Sequence, residues 1–327
     1  MPRIRLAIDT AGGDYAPDEI IAGAILGARQ HPIELTLVGK SEQIDEQLRQ
    51  HDAADLSIEI VDAPETIAMQ EDPAMAVRQK KDASIVVACE LVRDGRADAV
   101  ITMGHTGAGM IAALFTFSRL PGIDRPGVIV PFLGFRNTFI IDAGANTEVQ
   151  PKNLLQFAIM GSLYVEKVIG IEKPRVGLLS NGSEPNKGNA ISKQAYPLLA
   201  DSGLNFVGNV EGFALPQAIA NVVVTDGFTG NVALKLGEGL VAELLKQVEQ
   251  DADPTDDRLR AALARLHEGH DYARIGAAPV LGVNGLIFIG HGRSKAPAVA
   301  HAMSSAIRAV ECGLLNAIQA GLGVSAR

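Results

Sequence analysis

Three polar, glycine-rich loops, each following an apolar run, carry the residues best suited to chemistry. Phe139–Ile141 runs into Asp142-Ala-Gly-Ala-Asn146, and Arg175–Leu179 into Ser180-Asn-Gly-Ser-Glu-Pro-Asn-Lys-Gly-Asn189. Asn221–Thr225 runs into Asp226-Gly-Phe-Thr-Gly-Asn231. They offer Asp142 and Asn146, then Asn181, Gly182, Ser183 and Lys187, then Asp226, Thr229 and Asn231, with no cysteine and no histidine. Glycine lets the backbone approach a ligand, and amides at a following helix start suit an anion. Such a set positions an oxyanion and presents no obvious residue for covalent modification. Two histidines add candidates: His105, followed by Thr106 in Gly104-His-Thr-Gly107, and His291 before Gly292. Plainer roles exist for each. Asp226, Thr229 and Asn231 suit helix capping, Asp142 and Asn146 suit a turn, Lys187 suits solvent, and His291 suits a structural role.

Loops of this kind need strands to hold them, and strand and helix patterns alternate almost throughout. Strands are expected at Ile4–Asp9, Leu35–Gly39, Ser57–Val61, Ala99–Met103, Leu204–Val210, Val222–Thr225 and Leu286–Ile289. Gly127–Phe132 and Thr138–Asp142 read as a strand pair around Gly134–Asn137. Helices are expected from Pro17 to about Arg29, over Ser41–Gln50, Pro73–Arg93, Ala108–Phe117 and Pro151–Val168. Others run from about Gly230 to Glu249 and over Pro297–Ala320. The fold class is therefore α/β, with a mostly parallel sheet covered by helices on both faces. In open α/β sheets ligands bind at the carboxyl ends of the strands, where these loops lie. We read residues 1–327 as a single α/β catalytic domain, with Asp251–Asp257 as the best hinge.

Composition narrows the class further. The chain has 327 residues, 47% hydrophobic and 20% charged, enough for a large core. The net charge of −9 argues against a general nucleic-acid binder. Cys89 and Cys312 are distant in sequence and suit free thiols in a cytoplasmic protein. No run reaches membrane-spanning length. Gly39-Lys40-Ser41 fails as a P-loop because Glu34 stands where a glycine is needed. Gly104-x-x-Gly107-x-Gly109 lacks dinucleotide spacing, and neither a Gly-x-Ser-x-Gly elbow nor zinc-ligand spacing occurs. No cofactor and no metal are therefore called for. A metal- and NAD-dependent dehydrogenase would need an acidic cluster that these loops lack.

Taken in order, further motifs join the loops. They are Asp9-Thr-Ala-Gly-Gly-Asp14, Gly104-His-Thr-Gly-Ala108, Gln156-Phe-Ala-Ile-Met-Gly-Ser162, Gly208-Asn-Val-Glu-Gly212 and Gly282-Val-Asn-Gly285 with His291-Gly292. The series resembles the PlsX-type phosphate acyltransferases over nearly the whole chain. That resemblance implies reversible transfer of a fatty acyl group from acyl carrier protein to inorganic phosphate, giving acyl phosphate for phospholipid synthesis. It also implies a fold related to the isopropylmalate/isocitrate dehydrogenases and phosphotransacetylase, a homodimer, and catalytic roles for Lys187, Asn231 and His105. Thr106, Asp142, Asn146, Asn181, Gly182, Ser183, Asp226, Thr229 and His291 are the expected substrate contacts. His105 and Arg293 depart from the usual pattern, which has asparagine and serine there.

The segment at about 251–275 carries a second surface. Leu259, Ala262, Leu263 and Leu266 fall on one helical face, flanked by Arg258, Arg260 and Arg265, with Tyr272 and Arg274 beyond. Ordinary packing explains such a stripe. The family resemblance instead implies a protruding helix in peripheral contact with anionic membrane, and basic charge also suits an acidic carrier protein.

Overall fold

A computed structural model describes residues 3–132, 137–251, 256–270 and 276–323. The chain forms two compact units, Met1–Pro126 with Tyr272–Arg327, and Gly127–Asp271. In the first, β1 (Ile4–Asp9), β2 (Ile33–Gly39), β3 (Ile58–Asp62) and β4 (Ala99–Thr102) pair in parallel. β10 (Ala277–Leu281) and β11 (Ile287–Gly290) complete the order β3-β2-β1-β4-β11-β10. Only β10 runs antiparallel there. Every residue of β4 and β11 is buried, so both faces of the sheet are covered, as its parallel strands require. Asp9 ends β1 opposite Thr102, the last residue of β4.

The second unit has β5 (Gly127–Pro131), β6 (Phe139–Ile141), β7 (Val176–Ser180), β8 (Phe206–Glu211) and β9 (Val222–Val224). Their order is β5-β6-β9-β7-β8, with β5 antiparallel to β6 and the remaining neighbours parallel. Consequently the carboxyl ends of β6, β9 and β7 lie side by side, and they launch the three polar loops. The expected strand pair is β5–β6; residues 133–136 of its connection lie outside the described residues.

Three expectations require correction. The helix over Pro73–Arg93 is two helices, α3 (Pro73–Gln79) and α4 (Ser84–Arg93). Between them Ala83 bridges to Glu65, and Lys80 reaches both Glu71 and the Thr66 carbonyl. Those tertiary contacts outweigh local helix preference. The closing helix splits into Ala296–Glu311 and Leu314–Gly321 at Gly313, whose φ of 61° is left-handed. Strand β10 was missed because Pro279 sits inside it, and proline argues against a strand. Of the proposed hinge, residues 252–255 lie outside the described residues, as do Tyr272 and Arg274.

Helix α8 (Gly227–Asp251) leaves the β9 loop under tight constraint. A Cβ on Gly227 would stand 2.7 Å from the Asn146 carbonyl oxygen, and one on Gly230 only 2.0 Å from that of Asp142. Gly239, farther along the helix, has nothing within 4 Å. Gly230→Ala is therefore expected to lose at least about 1–3 kcal/mol of stability through overpacking. Gly239→Ala should gain up to about 1 kcal/mol from helix propensity. Urea unfolding of both variants checks this pair; equal shifts would refute the steric account.

Candidate functional site

In the second unit the site is built around Asp142. Its Oδ1 accepts from the backbone N–H of Val128 at 3.0 Å, Gly144 at 3.2 Å and Ala145 at 3.0 Å. Its Oδ2 accepts from the Asn146 N–H at 2.7 Å and the Asn146 side-chain amide at 2.8 Å. The carboxylate is fully buried, and burial pushes its pKa up while the Ala145, Val128 and Asn146 donors oppose that shift. With both oxygens engaged by donors of the loop and of β5, Asp142 and Asn146 shape the site. The Asn231 amide donates to the Ala143 carbonyl at 3.4 Å, which fastens α8 to the same loop.

The β9 loop is fixed by Asp226, which caps α8. Its carboxylate accepts from the Thr229 N–H at 2.8 Å and the Thr229 hydroxyl at 2.7 Å. Thus Asp226 and Thr229 take the capping role, while Asn231 lies beyond the cap. In the β7 loop, Asn181 Oδ1 accepts from the Gly188 N–H at 2.9 Å. Asn189, which the sequence shows only as the end of that loop, caps helix Ala190–Ala200 by accepting from the Ser192 N–H at 2.8 Å. Lys187 is exposed and its stem lies against Gly182, where a Cβ would meet Lys187 Cγ at 2.7 Å. Among the described residues its ammonium has no hydrogen-bonded or ion-paired partner. Ser183 is also exposed.

Two buried polar atoms beside this loop, Ser180 Oγ and Asn209 Oδ1, have no hydrogen-bond partner among the described residues. A cavity of about 350 Å³ including open solvent is lined by Asn189, Ser192, Thr225, Asp226 and Thr229 over apolar Leu154 and Leu178. The β7 and β9 loops therefore face one space.

The first unit holds its own cluster at the carboxyl ends of β1, β4 and β11. Asp9 is fully enclosed, and its Oδ2 accepts from the Thr102 hydroxyl at 2.6 Å. Thr102 Oγ1 in turn accepts from the Gly104 N–H at 3.0 Å, which fixes the start of the next loop. His105 caps helix α5 (Thr106–Phe117): its Nδ1 accepts from the N–H of Gly107 at 3.1 Å and Ala108 at 3.4 Å. A neutral ring in this position carries its proton on Nε2, so it presents a donor. His291 Nδ1 likewise accepts from the Arg293 N–H at 3.2 Å. Asp9, Ser84, Thr102, Gly104 and His105 line one cavity, and Thr106 beside it is exposed. Asp9 and Ser84 were not foreseen as site residues. The available signal was a carboxylate closing an apolar strand immediately before two glycines.

Burial dominates the environment of Asp9 and pushes its carboxyl pKa up, against hydrogen bonds from Ser84, Thr102, Ala11 and Gly12. A raised native pKa means the folded protein binds this proton more tightly than the unfolded chain. The resulting stability is present below the ordinary carboxylate value and is lost as pH rises through the native one. The gap in urea midpoint between native protein and Asp9→Asn should therefore narrow as pH rises from about 4, the ordinary carboxylate range. A gap independent of pH would contradict the shift.

Comparison with known proteins agrees with this architecture. A family described as fatty acid synthesis protein matches residues 4–316. A phosphate acyltransferase of Pelotomaculum thermopropionicum is 47% identical, covering 98% of this chain and 95% of its own. One from Heliobacterium modesticaldum is 46% identical, covering 97% of each. Among solved structures, a Staphylococcus aureus EutD phosphotransacetylase aligns at a TM-score of 0.63 with 16% identity, over 95% of this chain and 94% of its own. A Klebsiella pneumoniae 4-hydroxythreonine-4-phosphate dehydrogenase aligns at 0.53 with 13% identity, over 94% and 98%. At those identities the structural likeness establishes fold alone. The extent of the family match and the identity to curated relatives decide membership: the chain belongs to the fatty acid synthesis protein family, the PlsX family of phosphate acyltransferases.

Proposed function

We propose that the protein reversibly transfers a fatty acyl group from acyl carrier protein thioester to inorganic phosphate, producing acyl phosphate for phospholipid synthesis. The observation that carries the reading is the row of three loops on adjacent parallel strands, β6, β9 and β7, the last bearing the exposed Lys187, whose ammonium has no partner among the described residues. Phosphate, with a second pKa of about 6 by analogy with phosphoserine, is largely dianionic near neutral pH. One of its oxygens attacks the thioester carbon, forming a C–O bond and a tetrahedral oxyanion. Collapse breaks the C–S bond and releases thiolate, whose pKa of roughly 8.5 requires little acid assistance. No protein nucleophile enters the sequence. The protein's task is orientation and stabilisation of the oxyanion.

Lys187 and the amino end of helix Ala190–Ala200 bind phosphate in this scheme, with Asn181, Gly182 and Ser183 shaping the approach. Asp226, an anion itself, makes the start of α8 a poorer phosphate site. Asn231 has an amide hydrogen left for the oxyanion, and His105 offers Nε2–H to a substrate oxygen, with Thr106 and His291 as further contacts. Asp142 and Asn146 hold the geometry. The fold is read as isopropylmalate/isocitrate dehydrogenase-like.

Two surfaces support a homodimer in peripheral membrane contact, placed here in the cytoplasm. Along α8, Phe228, Val232, Leu236, Leu240, Leu244 and Val248 are exposed at four-residue steps, and a second copy would cover them. On helix α9 (Asp257–His270), Leu263 is buried and Leu259 half-buried, so these two leucines pack inward. Leu266 is 48% exposed beside exposed Arg258 and Arg265, which suits anionic headgroups. Among the described residues no helix is long and apolar enough to cross a membrane.

Lys187→Ala is expected to fold normally, to raise the phosphate KM and to lower kcat. Removing a transition-state contact of about 3 kcal/mol slows turnover on the order of a hundredfold. Steady-state kinetics with acyl carrier protein thioester and varied phosphate, trapping acyl phosphate with hydroxylamine, check this. Near-native phosphate kinetics would return the lysine to solvent, and thioester turnover undiminished without phosphate would overturn the reaction itself. Separately, Leu266→Glu should weaken sedimentation with anionic liposomes while soluble turnover persists. Unaltered liposome binding would refute docking through that face.

A further inference from the structure

Helix α5 has an unusual outer face. It contains no charged residue from Thr106 to Phe117. A helix that is apolar all round is ordinarily buried on all sides. Here Met110, Ile111 and Leu114 are half-buried, and Phe115 is 51% exposed. Neighbouring α3 packs alongside it and carries Met75, 52% exposed. The alignment of the two helices is fixed at both ends. A Cβ on Gly107 would meet Pro73 Cγ at 3.1 Å, and the Arg78 guanidinium lies 5.3 Å from the Phe115 ring centroid. Met75 lies between these contact points in sequence. The strip is continuous with the His105 loop, because His105 caps the same helix.

Resting on the proposed acyl transfer, we infer that this α3–α5 strip is the binding surface for the substrate's fatty acyl chain, which runs from His105 towards Phe115. Several observations favour that occupant. The strip begins at a cavity lined by Asp9, Thr102 and His105 and becomes uncharged and mostly apolar along α5, matching a polar carbonyl head on a hydrocarbon tail. Ten helical residues rise about 15 Å, a length that a long acyl chain follows and a short one does not. Methionine side chains adapt to a flexible chain, and the Arg78 stem can cover hydrocarbon while its head stays in water. Each methylene buried contributes about fourfold to binding, so the strip would set chain-length preference.

The test compares kcat/KM for hexanoyl and palmitoyl thioesters of acyl carrier protein, at saturating phosphate, in the native protein and in Met75→Gln/Phe115→Gln. The expected loss grows with chain length and reaches about tenfold for the palmitoyl substrate. Phe115→Leu, which keeps the strip apolar, should restore most of the long-chain rate and serves if the double variant folds poorly. Leu26→Gln, an exposed apolar change on the separate helix Asp18–Gln30, should leave both rates near native. An equal loss at both lengths, or none, would overturn the inference, as would a change in oligomeric mass accompanied by an unchanged length profile. Absence of phosphate-dependent turnover with either thioester in the native protein would instead overturn acyl transfer itself.

Discussion

The carboxylate of Asp142 is the contact on which the second unit's site depends. Five donors converge on two buried oxygens: four backbone amides and one side-chain amide. They tie the amino end of β5 to the loop after β6. Beside them, the Gly227 N–H reaches the Asn146 carbonyl at 2.7 Å, which seats the start of α8 on that loop. A buried carboxylate that loses its donors is costly, and donors that lose the carboxylate are equally stranded. The loop therefore has one arrangement. Close approach at Gly227 and Gly230 transmits that arrangement to Asn231, whose amide the proposed mechanism assigns to the oxyanion.

The first unit repeats the device with a different carboxylate. Asp9 holds Thr102, Thr102 holds Gly104, and the loop so fixed delivers His105 as the cap of α5. In both units a buried aspartate at the end of a parallel strand organises a glycine-rich loop before a helix. Preorganised donors of this sort lower a barrier without reorganising during the reaction. The proposed exchange interconverts a thioester and an acyl phosphate, both activated acyl groups, so it asks little more of the protein.

Much of this was legible from residues alone, for a physical reason. Buried parallel strands have to be nearly continuous apolar runs, so Ala99–Thr102 and Val222–Val224 announce themselves, and polar loops after them mark the ligand edge. Other features depend on tertiary contacts. The break between α3 and α4 comes from Glu65 pairing with Ala83, and β10 runs through a proline. Periodicity identified the leucine stripe of α9 without deciding that Leu263 turns inward and Leu266 outward. Asp9 opens one of the motifs but was given no role, because a buried carboxylate with no cationic partner among the described residues has no signature beyond its position. Asp142 and Asp226 were seen, but only the geometry separates loop organiser from helix cap.

In the proposed reaction phosphate attacks the thioester directly, with the protein supplying position and charge. Intact-mass measurement after incubation with acyl carrier protein thioester, with phosphate withheld, tests this most directly. Direct attack leaves the protein mass unmodified and yields stoichiometric acyl phosphate once phosphate is added. A stable or transient mass increase equal to the acyl group, discharged by phosphate, would contradict it and establish an acyl-enzyme.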